Sequence, residues 1–258
     1  TVLAGVHFVW HNKLLLGAQL DWRQVAVLRA YARYMKQLAF QFSEAFIAET
    51  LCNHLHIAAD LVEYFETRFS PLRELDEDQR ATAEEAVRQG ILASLDAVDS
   101  LNEDRVIRHY LTLMGATLRT NFYQRGADGG VKSYMSFKIK TTAIEEAPLP
   151  RPAFEIFVYS PRLEGVHLRG GPVARGGLRW SDRYEDFRTE VLGLVKAQQV
   201  KNAIIVPVGA KGGFVCKREP YLNTREERAQ EGLACYKTFI RGLLDITDNR
   251  VTGEIHPP

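Results

Sequence analysis

The chain has 258 residues, of which 46% are hydrophobic and 25% are charged, a balance typical of a globular protein with one large domain or two small ones. Its 33 basic and 32 acidic side chains give a formal net charge of +1, so global charge does not indicate a polyanionic partner. No apolar run is long enough to span a bilayer, and the first residues lack the features of a signal peptide. We therefore expect a cytoplasmic protein without a membrane partner.

The three cysteines are Cys52, Cys216 and Cys235. They are odd in number and far apart in the chain, which suits reduced thiols better than a disulfide framework. The chain also opens on Thr1 instead of methionine and stops at Pro258, where a loop could begin. We expect an excerpt of a longer protein.

Apolar residues recur at helical spacing three times in the first half of the chain. The three sets are Val25, Leu28, Ala32, Met35 and Ala39; Val87, Ile91, Leu95 and Val98; and Ile107, Leu111, Met114 and Leu118. A further short helix is predicted from Asp60 to Phe69, before the break at Pro71. Residues 1–125 are therefore predicted to form a helical domain.

The spacing of apolar residues changes from helical to alternating after the glycine-rich segment 126–130. Alternation from Val131 to Ile139 predicts a strand with one wetted side, formed by Lys132, Ser136 and Lys138. A second strand is predicted from Phe154 to Tyr159. A continuous apolar run from Ala203 to Val208 is typical of a buried strand.

Two helices are predicted among these strands. Phe187, Val191 and Val195 have the spacing of one helix, and Thr224 with Glu227 forms a capping box that begins the last one. Strands that alternate with helices predict an α/β domain over residues 126–258, which makes the chain α+β overall.

Glycines and polar residues that could bind a ligand are concentrated in three segments. They are Arg175-Gly176-Gly177-Leu178-Arg179-Trp180-Ser181, Gln198-Gln199-Val200-Lys201 and Pro207-Val208-Gly209-Ala210-Lys211-Gly212-Gly213. Adjacent glycines allow a backbone to approach a ligand closely, and a cation beside them attracts a carboxylate or phosphate. Gln198 and Lys201 are three residues apart, so they share a helix face and can bind one small anion together.

General nucleotide motifs do not match these segments. Gly209 stands too close to Lys211 for a phosphate-binding loop, and Gly212 follows the lysine in place of serine or threonine. Gly170 to Gly177 also lacks the glycine spacing of a dinucleotide fingerprint. Neither segment predicts a site for NAD or ATP.

In this order, the three segments resemble the substrate domain of the glutamate dehydrogenases. That family has a Lys-Gly-Gly-Leu/Ile-Arg-Tyr/Phe segment, a helix that ends in lysine, a buried strand and Pro-x-Gly-Gly-Ala-Lys-Gly-Gly. With the long helical region in front, essentially the whole chain resembles the large-subunit, NAD-specific bacterial type. The resemblance implies that residues 126–258 are the first part of the substrate-binding domain, and that the NAD-binding domain lies outside this chain.

The resemblance also implies roles for individual residues. Lys211 corresponds to the catalytic lysine, and Lys201 with Gln198 corresponds to the group that holds the substrate α-carboxylate. Arg175, followed by Gly176 and Gly177, stands where the family has the lysine that reaches the side-chain carboxylate. Arginine at this position departs from the pattern, since a planar guanidinium does not replace an ammonium like for like.

The family's reaction is the oxidative deamination of L-glutamate to 2-oxoglutarate and ammonia, with hydride transfer to NAD. NAD would be bound mainly by the part of the parent enzyme outside this chain, so the chain by itself is expected to be inactive. We also expect the parent to be a homo-oligomer, without a nucleic-acid partner. No metal site is expected, because His54, His56, His109 and His167 lack metal-ligand spacing.

Alternative interpretations remain open. One alternative is that Lys211 is an ordinary exposed lysine in a glycine turn. Another is that Gln198 and Lys201 only form the C-terminal end of a helix, where a basic side chain is favoured. Arg175 and Arg179 each have acidic neighbours at Asp182, Glu185 and Asp186 with which to form ion pairs.

The alternative function is a non-catalytic α/β module that binds an anion or nucleic acid, with the helices as an interaction platform. Its binding patch would consist of Arg169, Arg175, Arg179 and Arg183.

Overall fold

The computed structural model describes residues 12–171, 176–201 and 209–258. The chain divides into two compact units. One unit comprises Thr1–Lys36 and Phe40–Gly115, and the other comprises Gln37–Ala39 and Ala116–Pro258. The first unit is helical, and the second contains the sheet.

The helical unit contains five long helices within the described residues, after a helical segment that includes residues 12–17. They are α1 (Trp22–Gln37), α2 (Glu44–Asn53), α3 (Leu55–Phe69), α4 (Glu77–Leu95) and α5 (Leu101–Ala116). Their buried side chains include Leu28, Tyr31, Met35, Phe65 and Met114. The Tyr110 hydroxyl lies inside this core and donates a hydrogen bond to the Leu28 carbonyl at 3.0 Å. The core therefore satisfies the polar end of its buried tyrosine.

The expected helical periods are present, but some predicted ends are wrong. Ala39 lies beyond the end of α1 with φ +60°, and Val98 lies beyond the end of α4. Leu118 belongs to a strand and is 44% exposed, so it does not extend the apolar face of α5. The helix predicted from Asp60 to Phe69 begins earlier, at Leu55.

The sheet unit contains a six-stranded sheet of order β1-β2-β3-β4-β6-β5. The strands are β1 (Thr117–Thr120), β2 (Met135–Ile139), β3 (Phe154–Tyr159), β4 (Leu163–Arg169), β5 (Leu178–Trp180) and β6 (Ala210–Cys216). All neighbouring strands are antiparallel except β5 and β6, which are parallel. A separate hairpin pairs β7 (Asn249–Val251) with β8 (Glu254–His256).

The helices of this unit are α6 (Phe187–Lys201) and α7 (Arg225–Leu244), with short 3₁₀ turns at Thr141–Ala143 and Glu219–Tyr221. The capping box predicted for the last helix is confirmed, since Thr224 accepts from the Glu227 N–H at 3.1 Å and Glu227 accepts from the Thr224 N–H at 2.9 Å. These bonds satisfy N–H groups that the first helical turn leaves unpaired.

Helices α6 and α7 cover opposite faces of the sheet. A Cβ built at Gly213 would lie 2.5 Å from Val191 Cγ2 of α6. The ring centroid of the next residue, Phe214, lies 5.7 Å from that of Phe239 in α7. Because successive side chains of a strand point to opposite faces, each helix covers one face and the fold is α/β, as predicted.

The core on the α7 face is formed by Ile156, Val158, Leu163, Phe214, Cys216, Cys235, Phe239, Leu243 and Ile246.

The strand expectations have mixed outcomes. The strand from Phe154 to Tyr159 is confirmed at both ends. The strand expected from Val131 begins only at Met135, and its supposedly wetted Ser136 is fully buried because helix α7 covers that face. The strand expected from Ala203 to Val208 lies outside the described residues.

Within the described ranges, no helix combines the length and the apolarity needed to cross a membrane.

Candidate functional site

Lys211 is the second residue of β6 and lies directly opposite Leu168 of β4. Since Gly213 faces α6, Lys211 two residues earlier points to the same face. Its side chain is partly buried. Lys211 is therefore part of a regular strand. The alternative, in which it is an exposed lysine in a glycine turn, is wrong.

The glycines before β5 lie against this part of β6. The Gly212 N–H donates to the Gly177 carbonyl at 3.2 Å, and a Cβ built at Gly177 would lie 4.0 Å from Lys211 Nζ. A Cβ built at Gly176 would lie only 1.5 Å from the Ala210 carbonyl oxygen. Any side chain at 176 would displace the backbone beside Lys211, so this approach requires glycine.

Gln198 reaches the same face of the sheet from the C-terminal part of α6. A Cβ built at Gly209 would lie 2.5 Å from Gln198 Nε2, which shows that the amide rests on this glycine. The Gln198 Oε1 atom is buried and has no hydrogen-bond partner among the described residues. The structure therefore brings Gln198 to within two strand positions of Lys211, with an amide oxygen to which no described residue donates a hydrogen bond.

Two predicted site residues remain untested by the structure. The backbone of Lys201 ends α6, but its side chain lies outside the described residues. Arg175 lies in the undescribed segment 172–175. Their meeting with Gln198 and Lys211 stays a prediction.

The arginines of the alternative binding patch are mostly engaged. Arg179 forms an ion pair with Glu190 at 2.5 Å, so the expected pairing is present but the expected partners Asp182, Glu185 and Asp186 are wrong. Helical geometry explains the difference, since Glu190 lies in the first turn of α6, close to β5. Arg183 forms an ion pair with Asp186. These carboxylates neutralise half of the proposed patch.

His167 and Arg169 form a pair on the other face of the sheet. His167 lies opposite Gly212 in the register, and Arg169 Nε donates to its Nδ1 at 3.2 Å. Burial, with a smaller contribution from Arg169, lowers the pKa of His167 to about 4. The imidazole is therefore neutral at physiological pH and faces away from Lys211.

Sequence reasoning missed one buried ion pair beside the site. Arg188 Nε and Nη2 donate to the two carboxylate oxygens of Glu155, each at 2.8 Å, and both side chains have zero exposure. A signal was available, because Glu155 stands within an apolar strand and Arg188 stands four residues before the buried Leu192 on α6. A charge at such a core position indicates a buried partner.

The two glycine pairs beside Lys211 do not have the setting of a phosphate-binding turn. Gly212 and Gly213 lie inside β6, and Gly176 and Gly177 lead into the edge strand β5, so neither pair opens a helix as phosphate-binding turns require. The described residues also contain no group of three or more potential metal-ligating side chains.

A mixed sheet with helices on both faces defines an α/β domain, in which Lys211 and Gln198 lie beside glycines at one end of β6. Residues 90–258 match the family model described as bacterial NAD-glutamate dehydrogenase, catalytic domain. Residues 10–71 match the model described as glutamate dehydrogenase, helical motif 3. The chain belongs to the bacterial NAD-glutamate dehydrogenase family, which confirms the resemblance of the glycine–lysine segments.

Curated relatives extend this similarity over nearly the whole chain. The chain is 60% identical over 247 residues to an NAD-specific glutamate dehydrogenase of Pseudomonas aeruginosa and 59% identical over 247 residues to one of Halomonas elongata. It is 48% identical over 266 residues to one of Mycobacterium tuberculosis. These matches cover 96–97% of this chain but only 15–16% of each relative, so the chain spans about 15% of the length of the relatives that it matches.

Proposed function

We propose that this chain is the part of an NAD-dependent glutamate dehydrogenase that binds the amino-acid substrate. The parent enzyme would convert L-glutamate, water and NAD to 2-oxoglutarate, ammonia and reduced NAD. The observation that carries the proposal is that Gln198 and Lys211 share one face of the sheet, over Gly209 and beside Gly177, in a segment that matches the family's catalytic domain.

We assign the anionic ends of the substrate to the cations of this region. Gln198 and Lys201 would hold the α-carboxylate, and Arg175 would bind the side-chain carboxylate. A guanidinium can bind a carboxylate through two parallel hydrogen bonds, so arginine at 175 would orient the distal end of the substrate more strictly than a lysine. Gly176 and Gly177 would leave room for that end beside β6.

Lys211 would act at the reacting carbon. When glutamate loses a hydride from its α-carbon and a proton from its amino group, its C–N single bond becomes that of an imine, and water must then add to the imine carbon. The Lys211 ammonium would orient that water and stabilise the oxygen of the carbinolamine by hydrogen bonding and charge. Collapse of the carbinolamine breaks the C–N bond and releases ammonia. The NAD that accepts the hydride would be held mainly by another part of the parent enzyme.

The test is glutamate-dependent NAD reduction by the parent enzyme and its Lys211→Ala variant. We expect kcat to fall at least ~100-fold, a loss typical of removing one acid–base or charge-stabilising group. Lys196→Ala is the matched control, because Lys196 is exposed on α6 and should be replaceable without loss. A parent that ignores glutamate would refute the proposed function. A folded Lys211→Ala variant with wild-type kcat would refute the role of Lys211.

We further propose that the parent enzyme works in the cytoplasm as a homo-oligomer. The support for this compartment is that the three cysteines of the chain are odd in number and far apart in sequence, which suits reduced thiols better than a disulfide framework. A hydrogen bond with Cys235, together with burial, raises the pKa of Cys216, so this thiol resists conversion to the reactive thiolate. Sedimentation of the parent enzyme at several concentrations would test its oligomeric state.

A further inference from the structure

The start of α6 is fixed to the sheet by the buried ion pair between Arg188 and Glu155. Both nitrogen–oxygen contacts measure 2.8 Å, and neither side chain is exposed to solvent. Arg188 is the second residue of α6, and Glu155 is the second residue of β3. The pair therefore joins the first turn of the helix to an interior strand.

A second polar contact holds the same helix end. Gln37, the last residue of α1, belongs to the sheet unit and is 1% exposed. Its Oε1 accepts from the Arg188 N–H at 3.1 Å. Its Nε2 donates to the Glu185 carbonyl at 3.1 Å, just before the helix begins. The Gln37 amide thus satisfies backbone groups at the N-terminus of α6 and restrains the same turn as the ion pair.

The anchored helix covers the face of the sheet that contains Lys211. Glu155 lies opposite Leu168 in β4, and Leu168 lies opposite Lys211 in β6. Residues that lie opposite each other in adjacent antiparallel strands share a face, so Glu155 and Lys211 belong to one row across the sheet. At its other end, α6 places Gln198 on Gly209.

Stability alone does not explain a fully buried ion pair. Apolar side chains of similar volume often give equal or greater stability, because burying two charges costs desolvation energy. A guanidinium held by both carboxylate oxygens does specify geometry, since two parallel hydrogen bonds define both distance and orientation. An apolar contact is non-directional and therefore specifies the orientation of the helix less strictly.

We propose that the Glu155–Arg188 pair is a positioning device for the substrate-carboxylate site. By fixing α6 along the sheet, it places Gln198 in register with Lys211. Gln198 lies ten residues after Arg188, about 15 Å along the helix at ~1.5 Å per residue, so a slip at one end is transmitted to the other. This inference rests on the proposed function, because it assigns the pair to glutamate binding.

The test uses the parent enzyme with Glu155→Leu and Arg188→Met combined, which removes both charges and leaves no unpaired ion. We expect a folded enzyme with a Tm close to the wild-type value. The KM for glutamate should rise at least ~10-fold, because a misplacement of ~1 Å weakens the carboxylate contacts. The kcat should stay within roughly threefold, because Lys211 is held by β6 and the lost contacts bind ground state and transition state alike.

The matched control is Arg162→Met with Glu231→Leu. This ion pair has a 3.0 Å contact between Arg162 Nε and Glu231 Oε1 and joins the loop before β4 to α7, on the opposite face of the sheet. Its replacement changes the same kinds of charge in the same unit but leaves α6 untouched. We expect the KM for glutamate to remain at the wild-type value.

The outcomes separate the two proposals. A wild-type parent that does not oxidise glutamate overturns the proposed function, and this inference with it. With an active wild type, a folded double variant of unchanged KM overturns the positioning role alone, as does an equal KM rise in the Arg162/Glu231 control.

If the Glu155/Arg188 variant does not fold, Gln37→Met tests the same helix end. A KM rise of roughly threefold or more supports the proposal, and an unchanged KM overturns it.

Discussion

At the residue scale, His167 links stability to pH. Burial lowers its pKa to about 4 in the folded chain, whereas an unfolded histidine titrates near ~6.5. As pH falls from about 6.5 to about 4, the unfolded state takes up a proton that the folded state does not. Stability is therefore fully present above about pH 6.5 and is lost progressively down to about pH 4.

We predict that His167→Gln makes the unfolding free energy less dependent on pH over this interval. The loss of unfolding free energy assigned to His167 in the wild type is on the order of 3 kcal/mol. Glutamine removes it because glutamine does not titrate and still offers Arg169 an acceptor. Urea unfolding of the chain at several pH values measures the effect. Equal slopes for the two proteins between pH 6.5 and pH 4 would contradict this account of His167.

At the element scale, two helical glycines should respond in opposite ways to alanine. A Cβ built at Gly242 of α7 would lie 2.7 Å from Ser136 Oγ and 2.9 Å from Val158 Cγ1 of the sheet. A Cβ at Gly90 of α4 would meet no atom within 4 Å. Close packing thus requires glycine at 242, and space does not require it at 90.

We predict that Gly90→Ala stabilises the chain by roughly 0.5–1 kcal/mol through helix propensity alone. Gly242→Ala should destabilise it by about 1–2 kcal/mol, because overpacking against the sheet outweighs the same propensity gain. Thermal unfolding of both variants beside the wild type measures the difference. Stabilisation by both substitutions would show that α7 admits a methyl group at 242, and destabilisation by both would contradict the account of Gly90.

Element ends also show which local signals can be read from sequence. The capping box at Thr224 and Glu227 predicts the start of α7, because it depends on side chains within one turn. By contrast, β4 was not predicted, since Glu164 and His167 interrupt its apolar pattern. Glu164 is accommodated by an ion pair with Lys217 at 3.0 Å, which lies outside β4. His167 accepts a hydrogen bond from Arg169, the last residue of β4.

At the scale of the whole molecule, charge balance argues against the nucleic-acid alternative. The formal net charge is +1, and Arg179 and Arg183 are each paired with a carboxylate. We predict that binding of this chain to single-stranded RNA is weak and has a shallow salt dependence, because few phosphates could be neutralised. Titrations at several salt concentrations measure the slope of log K against log salt. A steep slope, equivalent to several released counterions, would favour the binding module.

The sequence by itself was sufficient for the α/β class, for most helices and for the glycine–lysine segments around Lys211. Helical periods, capping residues and adjacent glycines are local properties, which neighbours in the chain determine. Gln198 and Lys201 could also be placed on one helix face, because that placement depends only on the helical repeat.

Only the tertiary structure decided which of these residues meet. The approach of Gln198 to Gly209, the contact of Gly176 with Ala210 and the pairing of Arg188 with Glu155 depend on strand order and on which helix covers which face. These contacts join residues that are distant in the chain, so no local period reports them. A buried charge within an apolar pattern shows that a partner must exist, but the fold alone determines which residue it is.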